Sequence, residues 1–178
     1  MILGLDISTS ITGYTILDDD NNIIENDVWD LRKYKDFFLK ADIIKENVAK
    51  IHKQYGSQIS HIYVEQSLQA FRSGFSSART LSTLSRFNGV VSWLVYDKLQ
   101  IKPEYIAATS ARKLCGIKIP RGQKAKEVVL KFLLDNEPSF VIGYTKHGNP
   151  KPGSYDRADS LVIARAGLEL CKRESLES

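Results

Sequence analysis

Ile2-Leu-Gly-Leu-Asp-Ile7, Gly13-Tyr-Thr-Ile-Leu17 and Asn22-Asn-Ile-Ile-Glu-Asn-Asp-Val-Trp29 follow one another at the start of the chain as three short apolar-rich runs. β-Branched and aromatic residues fill them, and Asp18-Asp-Asp-Asn21 between the second and third is turn chemistry. The pattern predicts a three-stranded antiparallel meander. The acid run lacks the Gly and terminal Glu spacing of a calcium loop, so it reads as a solvated hairpin turn.

Downstream the periodicity changes. From Lys35 to about Gln54 the residues Phe38, Ala41, Ile44, Val48 and Ile51 recur at helical intervals, and Gly56 gives a stop signal. Ser60-His-Ile-Tyr-Val-Glu65 reads as a core strand, and a strand–helix–strand step of this length favours a parallel crossover. A long helix is predicted over 78–99, with Leu81, Leu84, Asn88, Val91 and Val95 on one stripe. Phe87, Val90, Trp93 and Leu94 widen its apolar surface, so it is either buried on two sides or supplies a homodimer contact.

Tyr105–Ala108 completes a set of five strands. Ser110 is placed to cap a short helix through Cys115, and Gly122 to about Asp135 forms an amphipathic helix around Val128, Val129, Phe132 and Leu133. Residues 139–153 hold Gly143, Gly148, Pro150, Pro152 and Gly153 without periodicity, which predicts a loop free to move. A last helix from Ser154 to about Cys171 buries Ala158, Leu161, Val162 and Leu168. The class is α/β, a mixed five-stranded sheet flanked by helices.

At 178 residues, 43% hydrophobic, the chain has the length for one well-buried core, so residues 1–178 are read as a single domain. Its formal charge of +4 is unevenly spread. Residues 102–132 carry eight Lys or Arg against two acids, a patch that fits a polyanionic partner. Cys115 and Cys171 show no ligand-type spacing and read as reduced thiols. No run approaches the roughly 18 apolar residues of a membrane span, and the first strand starts without a leader, so a soluble, cytoplasmic protein without membrane contact is expected.

Three acidic islands stand out in this setting. Asp6 and Glu65 each end an apolar run, and Asp156 and Asp159, three apart, share a helix face. Carboxylates at the ends of buried strands are costly unless a cation meets them, so four that converge would form a metal site suited to phosphodiester hydrolysis. Singly, each has a plainer explanation as a turn, strand-end or first-turn acid. Alternation leaves the face of Asp6 open, because both its neighbours are apolar.

Gly4-Leu-Asp6-Ile-Ser-Thr-Ser-Ile-Thr-Gly13-Tyr, Tyr63-Val-Glu65-Gln66 and Asp156-Arg-Ala-Asp159-Ser-Leu-Val-Ile-Ala164 together resemble the RuvC-type Holliday junction resolvases of the RNase H-like superfamily. Sugar kinases and actin-like ATPases share the first string, but they need two such domains and do not fit this length. The resemblance implies an RNase H-like fold and a homodimer that makes paired symmetric nicks in four-way DNA junctions. Asp6, Glu65, Asp156 and Asp159 would hold two Mg²⁺ ions, for which Mn²⁺ can substitute, and cleavage would leave 5′-phosphate and 3′-hydroxyl ends.

It also implies a catalytic lysine at the start of a helix, matched best by Lys126, with Lys124 as the competing choice. Arg112, Lys113, Lys118, Arg121, Lys124 and Lys126 would neutralise DNA phosphates. Where bacterial members place an aromatic wedge after Glu-Gln, this chain has Ser67 and Leu68, with Phe71 and Phe75 further on. Leu68, Phe71 or Phe75 would open the junction centre, or the two phenylalanines pack beneath the loop. The altered loop points toward a phage or viral relative, acting then in the host cytoplasm. Broader branched DNA, such as Y-junctions, forks and flaps, is the alternative substrate class. A non-catalytic junction-binding protein and an RNA–DNA hybrid nuclease complete the alternatives.

Overall fold

The computed structural model describes residues 1–66 and 78–177. Its elements are β1 (Ile2–Asp6), β2 (Ile11–Leu17), β3 (Ile23–Asp30), α1 (Phe37–Tyr55), β4 (His61–Glu65), α2 (Ala78–Leu99), β5 (Glu104–Ile106), α3 (Ala108–Leu114), α4 (Ala125–Asn136) and α5 (Ser154–Glu177). The sheet order is β3-β2-β1-β4-β5. β1, β2 and β3 form the antiparallel meander, while β4 joins β1 and β5 joins β4 in parallel. Asp18 closes the β2–β3 turn by accepting from the backbone N–H of Asp20 and Asn22, at 3.0 and 2.7 Å. Leu68, Phe71 and Phe75 lie outside the described residues, and so does Ser67.

Alternation along the strands sorts the core into two layers. Leu3, Leu5, Ile7, Tyr14, Ile16, Ile62 and Val64 pack against α1 and α2. Ile2, Leu17, Tyr63 and Ile106 pack on the other side, against α3, α4 and α5. Residue parity therefore settles the face of Asp6: it lies with Ile2 and Gly4, beneath α5. Tyr63 and Glu65 share that face on β4.

α5 sits unusually close to the sheet. A Cβ built on Gly4 would lie 2.6 Å from the Ala164 side chain, and one on Gly13 would lie 2.0 Å from the Asp156 carbonyl oxygen. The side chains around this contact grip it. Thr15 and Ser160 share a buried hydrogen bond of 2.9 Å, Asn26 donates to Thr15 and to the Arg157 carbonyl, and Arg157 donates back to Asn26. The carboxylates of α5 thus start from a fixed register.

Several local expectations are corrected. Phe38 is 74% exposed, because the stripe of α1 is carried by Ala41, Ile44, Val48 and Ile51, with Asp36 as N-cap. Ser110 lies inside α3, whose N-cap Ala107 makes no side-chain bond. α4 begins at Ala125 and buries Leu130 rather than Phe132, while α5 continues past Cys171 to Glu177. The 139–153 segment is not simply irregular: Phe140 and Ile142 are buried, and Tyr144 pairs with Pro150 across a tight turn. α2 buries Phe87, Asn88, Val91, Val95 and Leu99 but leaves Trp93 59% exposed. Both cysteines are free, and no helix among the described residues is long and apolar enough to cross a membrane.

The two glycine contexts predict opposite outcomes. Gly13→Ala forces a Cβ into the Asp156 backbone and should cost about 3 kcal/mol. Gly89→Ala, on α2 with nothing within 4 Å of the new methyl, should gain up to about 1 kcal/mol. Urea unfolding of the two variants beside wild type checks both signs.

Candidate active site

β1 and β4 are parallel neighbours, with Leu5 opposite Val64, so Asp6 and Glu65 emerge side by side at the same edge of the sheet. Asn88 of α2 donates to the Glu65 carbonyl at 3.2 Å and fixes the end of β4. After β1 the chain turns tightly: Ser8 Oγ donates to the Ile11 carbonyl and accepts from the Ser10 and Ile11 N–H groups. Gly13, opposite Asp6 on β2, admits the first turn of α5. That turn carries Asp156, and Asp159 follows one turn later. Arg157 and Ser160, one position on from each acid, hold the helix to β2 and β3.

The four carboxylates feel one another. Burial, then repulsion from Glu65 and Asp159, pushes Asp6 well above the usual carboxylate range. Burial and Asp159 raise Glu65 to about 7, against the pull of Lys126 and Arg112. Asp156 and Asp159 are also raised, chiefly by burial, with Lys126 the main opposing influence on each. Lys126 Nζ stands 3.7 Å from Asp159 Oδ2, with the lysine side chain 63% exposed and the aspartate 16%. Burial alone would lower the Lys126 ammonium, but Asp159, Asp6, Asp156 and Glu65 outweigh it and hold it above its ordinary value.

Among the described residues no three His, Cys, Asp or Glu close into a ready-made ligand cage. The donor set still fits a hard divalent cation. All four groups are carboxylates, they are half-buried with only Lys126 and Arg112 set against them, and Mg²⁺ is typically held by one or two carboxylates plus waters rather than by a full protein cage. Asp6, Glu65, Asp156 and Asp159 are the residues that would hold it.

The basic residues divide. Arg112 of α3 and Lys126 of α4 act on the acids. Arg112, Lys113 and Lys118 line one surface groove beside the start of α4, and Arg121 is exposed nearby in sequence. Lys124 is the N-cap of α4 and pairs with Glu127 at 3.0 Å. His147 is exposed within the Tyr144–Pro150 turn. Sequence reasoning missed Arg32, which follows β3, forms a two-pronged pair with Asp30 and draws Asp156 downward. The spacing Asp30-Leu-Arg32 was its only sequence signal, and a salt-bridged pair after a strand is common.

The raised carboxyls have a consequence for stability. Between 4.5 and about 7 the folded chain keeps a proton on Glu65 that the unfolded chain has released. Stability from this group is therefore highest at low pH, falls as pH rises through that window and levels off above it, by on the order of 3 kcal/mol. In EDTA, melting should drop by about 10 °C from this group between pH 5 and 8, and Glu65→Gln should remove most of that slope. An unchanged slope in the variant would refute the buried, uncompensated carboxyl.

No family model matches the sequence, and no curated protein matches it. Solved structures do. RuvC of Thermus thermophilus in complex with a Holliday junction substrate superposes with a TM-score of 0.66 at 12% identity, over 97% of this chain and 94% of the other. A second Thermus thermophilus RuvC structure gives 0.61 at 15%, over 97% and 96%. The yeast mitochondrial Holliday junction resolvase gives 0.63 at 18%, over 98% and 80%. With its five-stranded mixed sheet in the order β3-β2-β1-β4-β5, this chain has the RNase H-like fold in the form seen in RuvC-type Holliday junction resolvases.

Proposed function

We propose that this chain is a divalent-metal-dependent endonuclease that hydrolyses phosphodiester bonds in branched DNA, four-way junctions above all. The observation that carries this reading is the meeting of Asp6, Glu65, Asp156 and Asp159 with Lys126 and Arg112 at one sheet edge. The likeness of fold to resolvases supports the choice of substrate. Two Mg²⁺ ions, or Mn²⁺ in their place, would acidify a water and neutralise charge on the reacting phosphate and leaving oxygen when bound.

The chain's own residues do the rest. The four acids present oxygen donors from a half-buried floor, where a divalent cation would relieve the repulsion among them. Lys126 lies on the solvent side of them and can turn from Asp159 to a phosphate oxygen of the strand. Arg112, with Lys113 and Lys118 along the adjoining groove, extends the positive surface away from the acids.

Paired nicks need two such centres, and the exposed apolar surface of α2 supports a second copy docking there. Phe37, Phe38, Val90 and Trp93 line an apolar groove between α1 and α2, with Phe38 and Trp93 largely exposed. A two-fold contact there is self-complementary and closes as a dimer.

Cleavage of a labelled four-way junction beside linear duplex and flap, with Mg²⁺ or EDTA, tests the activity. Symmetric nicks confined to the junction and abolished by EDTA are expected. Equal cutting of flaps would shift the reading to a general debranching nuclease, and no cutting would overturn it. Asp6→Asn should lose at least about 1000-fold in cleavage while junction binding stays within about threefold. Trp93→Glu should convert the dimer to monomer in sedimentation and uncouple the two nicks. A wild type that sediments as a monomer would refute the α2 interface.

A further inference from the structure

Residues 138–153 contain no Asp or Glu, but they do contain Lys146, His147 and Lys151. The segment is built as a small finger. Thr145 N–H donates to the Asn149 carbonyl at 2.8 Å, Gly148 N–H to Thr145 at 3.0 Å, and Lys151 N–H to Gly143 at 2.9 Å. Gly148 takes φ 76°, the left-handed conformation that such a turn requires. Phe140 and Ile142 root the base in the core. Arg157 clamps it by donating to the Val141 carbonyl at 3.0 Å and lying over the Phe140 ring, 5.4 Å from its centre.

A self-bonded, core-rooted turn of this kind presents its cations at little entropic cost: Lys146 is exposed at the turn, and Lys151, exposed too, lays its side chain across Gly143 of the opposite arm. Among the described residues neither Lys146 nor Lys151 forms an ion pair, whereas Lys124, Lys131 and Lys172 each pair with an acid of their own helix. The finger also has a defined place. Its second arm runs straight into α5, where Ser154 bonds the Lys151 carbonyl, and Lys151 is five residues before Asp156. Five residues span at most about 18 Å, about five base-pair steps of a duplex at roughly 3.4 Å each. Gly153 rests against Val28 of β3, so the finger rises on the β3 side of the acids, where Arg32 also stands. Lys126 and Arg112 reach the acids from the α3 and α4 side instead.

We propose that the 143–151 hairpin is a second DNA-binding element, in which Lys146 and Lys151 grip the phosphate backbone of the duplex arm on the β3 side of the acidic centre. The inference rests on the nuclease reading above. It gives the DNA cationic contacts on both flanks of the acids, with the two flanks carried by separate elements.

Junction binding in EDTA, titrated from 50 to 200 mM salt, tests it with the full-length protein. Lys146→Ala/Lys151→Ala should lower the slope of log affinity against log salt by about two and weaken binding about tenfold at intermediate salt. Lys146→Arg/Lys151→Arg should restore both, and a melting temperature equal to wild type in each variant assigns the change to the lost contacts. The same slope and affinity in the alanine variant, with wild type binding normally, would overturn the hairpin proposal alone. Wild type that binds no branched DNA would overturn the nuclease reading, and this one with it.

Discussion

The contact on which the molecule depends is the close seat of α5 on the sheet. Two strand positions without a Cβ, Gly4 and Gly13, let helix backbone approach where any side chain would hold it off. The gap is not bridged by apolar packing alone. Thr15, Ser160, Asn26 and Arg157 satisfy one another across it, so the helix is fixed in rotation as well as in distance. Asp159 acts on both Asp6 and Glu65, and Asp156 on Asp6, because that rotation is fixed.

Electrostatics then works against the fold at this spot. Four half-buried carboxylates face two cations, Lys126 and Arg112, which leaves two negative charges unmet if all four ionise. Their raised proton affinities express that deficit. A protein selected for stability alone would not keep such a cluster, and strain of this kind concentrates where binding or chemistry happens. Arg32 adds little relief, because Asp30 already engages its guanidinium from two sides.

Much of the architecture was legible in residue order. The meander, the parallel step to β4, the long α2 and the terminal helix all carried hydrophobic periods long enough to read. Ambiguity remained wherever the period failed. Asp6 sits between two apolar neighbours, and only the packing of Ile2 and Gly4 beneath α5 shows its face. Phe38 matched the helical stripe by spacing yet is exposed, lining the surface groove shared with Val90 and Trp93 of α2 while Ala41, Ile44, Val48 and Ile51 carry the buried stripe. The acids of the site were individually visible, but their company was not. Arg32, Asn88 and the Arg157 clamp act through contacts between residues far apart in sequence, and a local window carries no trace of those. The 139–153 finger was hidden for another reason: glycines and prolines mark a turn without showing that its base is buried.

The grip on α5 also divides the chain into parts with different tolerance to changes in length. A helix turns about 100° per residue, so one residue added between Asp156 and Ala164 would swing the acids away from Asp6 or tear Ser160 from Thr15. The helix end from Lys172 to Leu176 answers to no such register, being exposed. Among relatives of this chain, insertions and deletions should therefore crowd into that helix end and spare the nine residues from Asp156 to Ala164, whatever substitutions the stretch accepts.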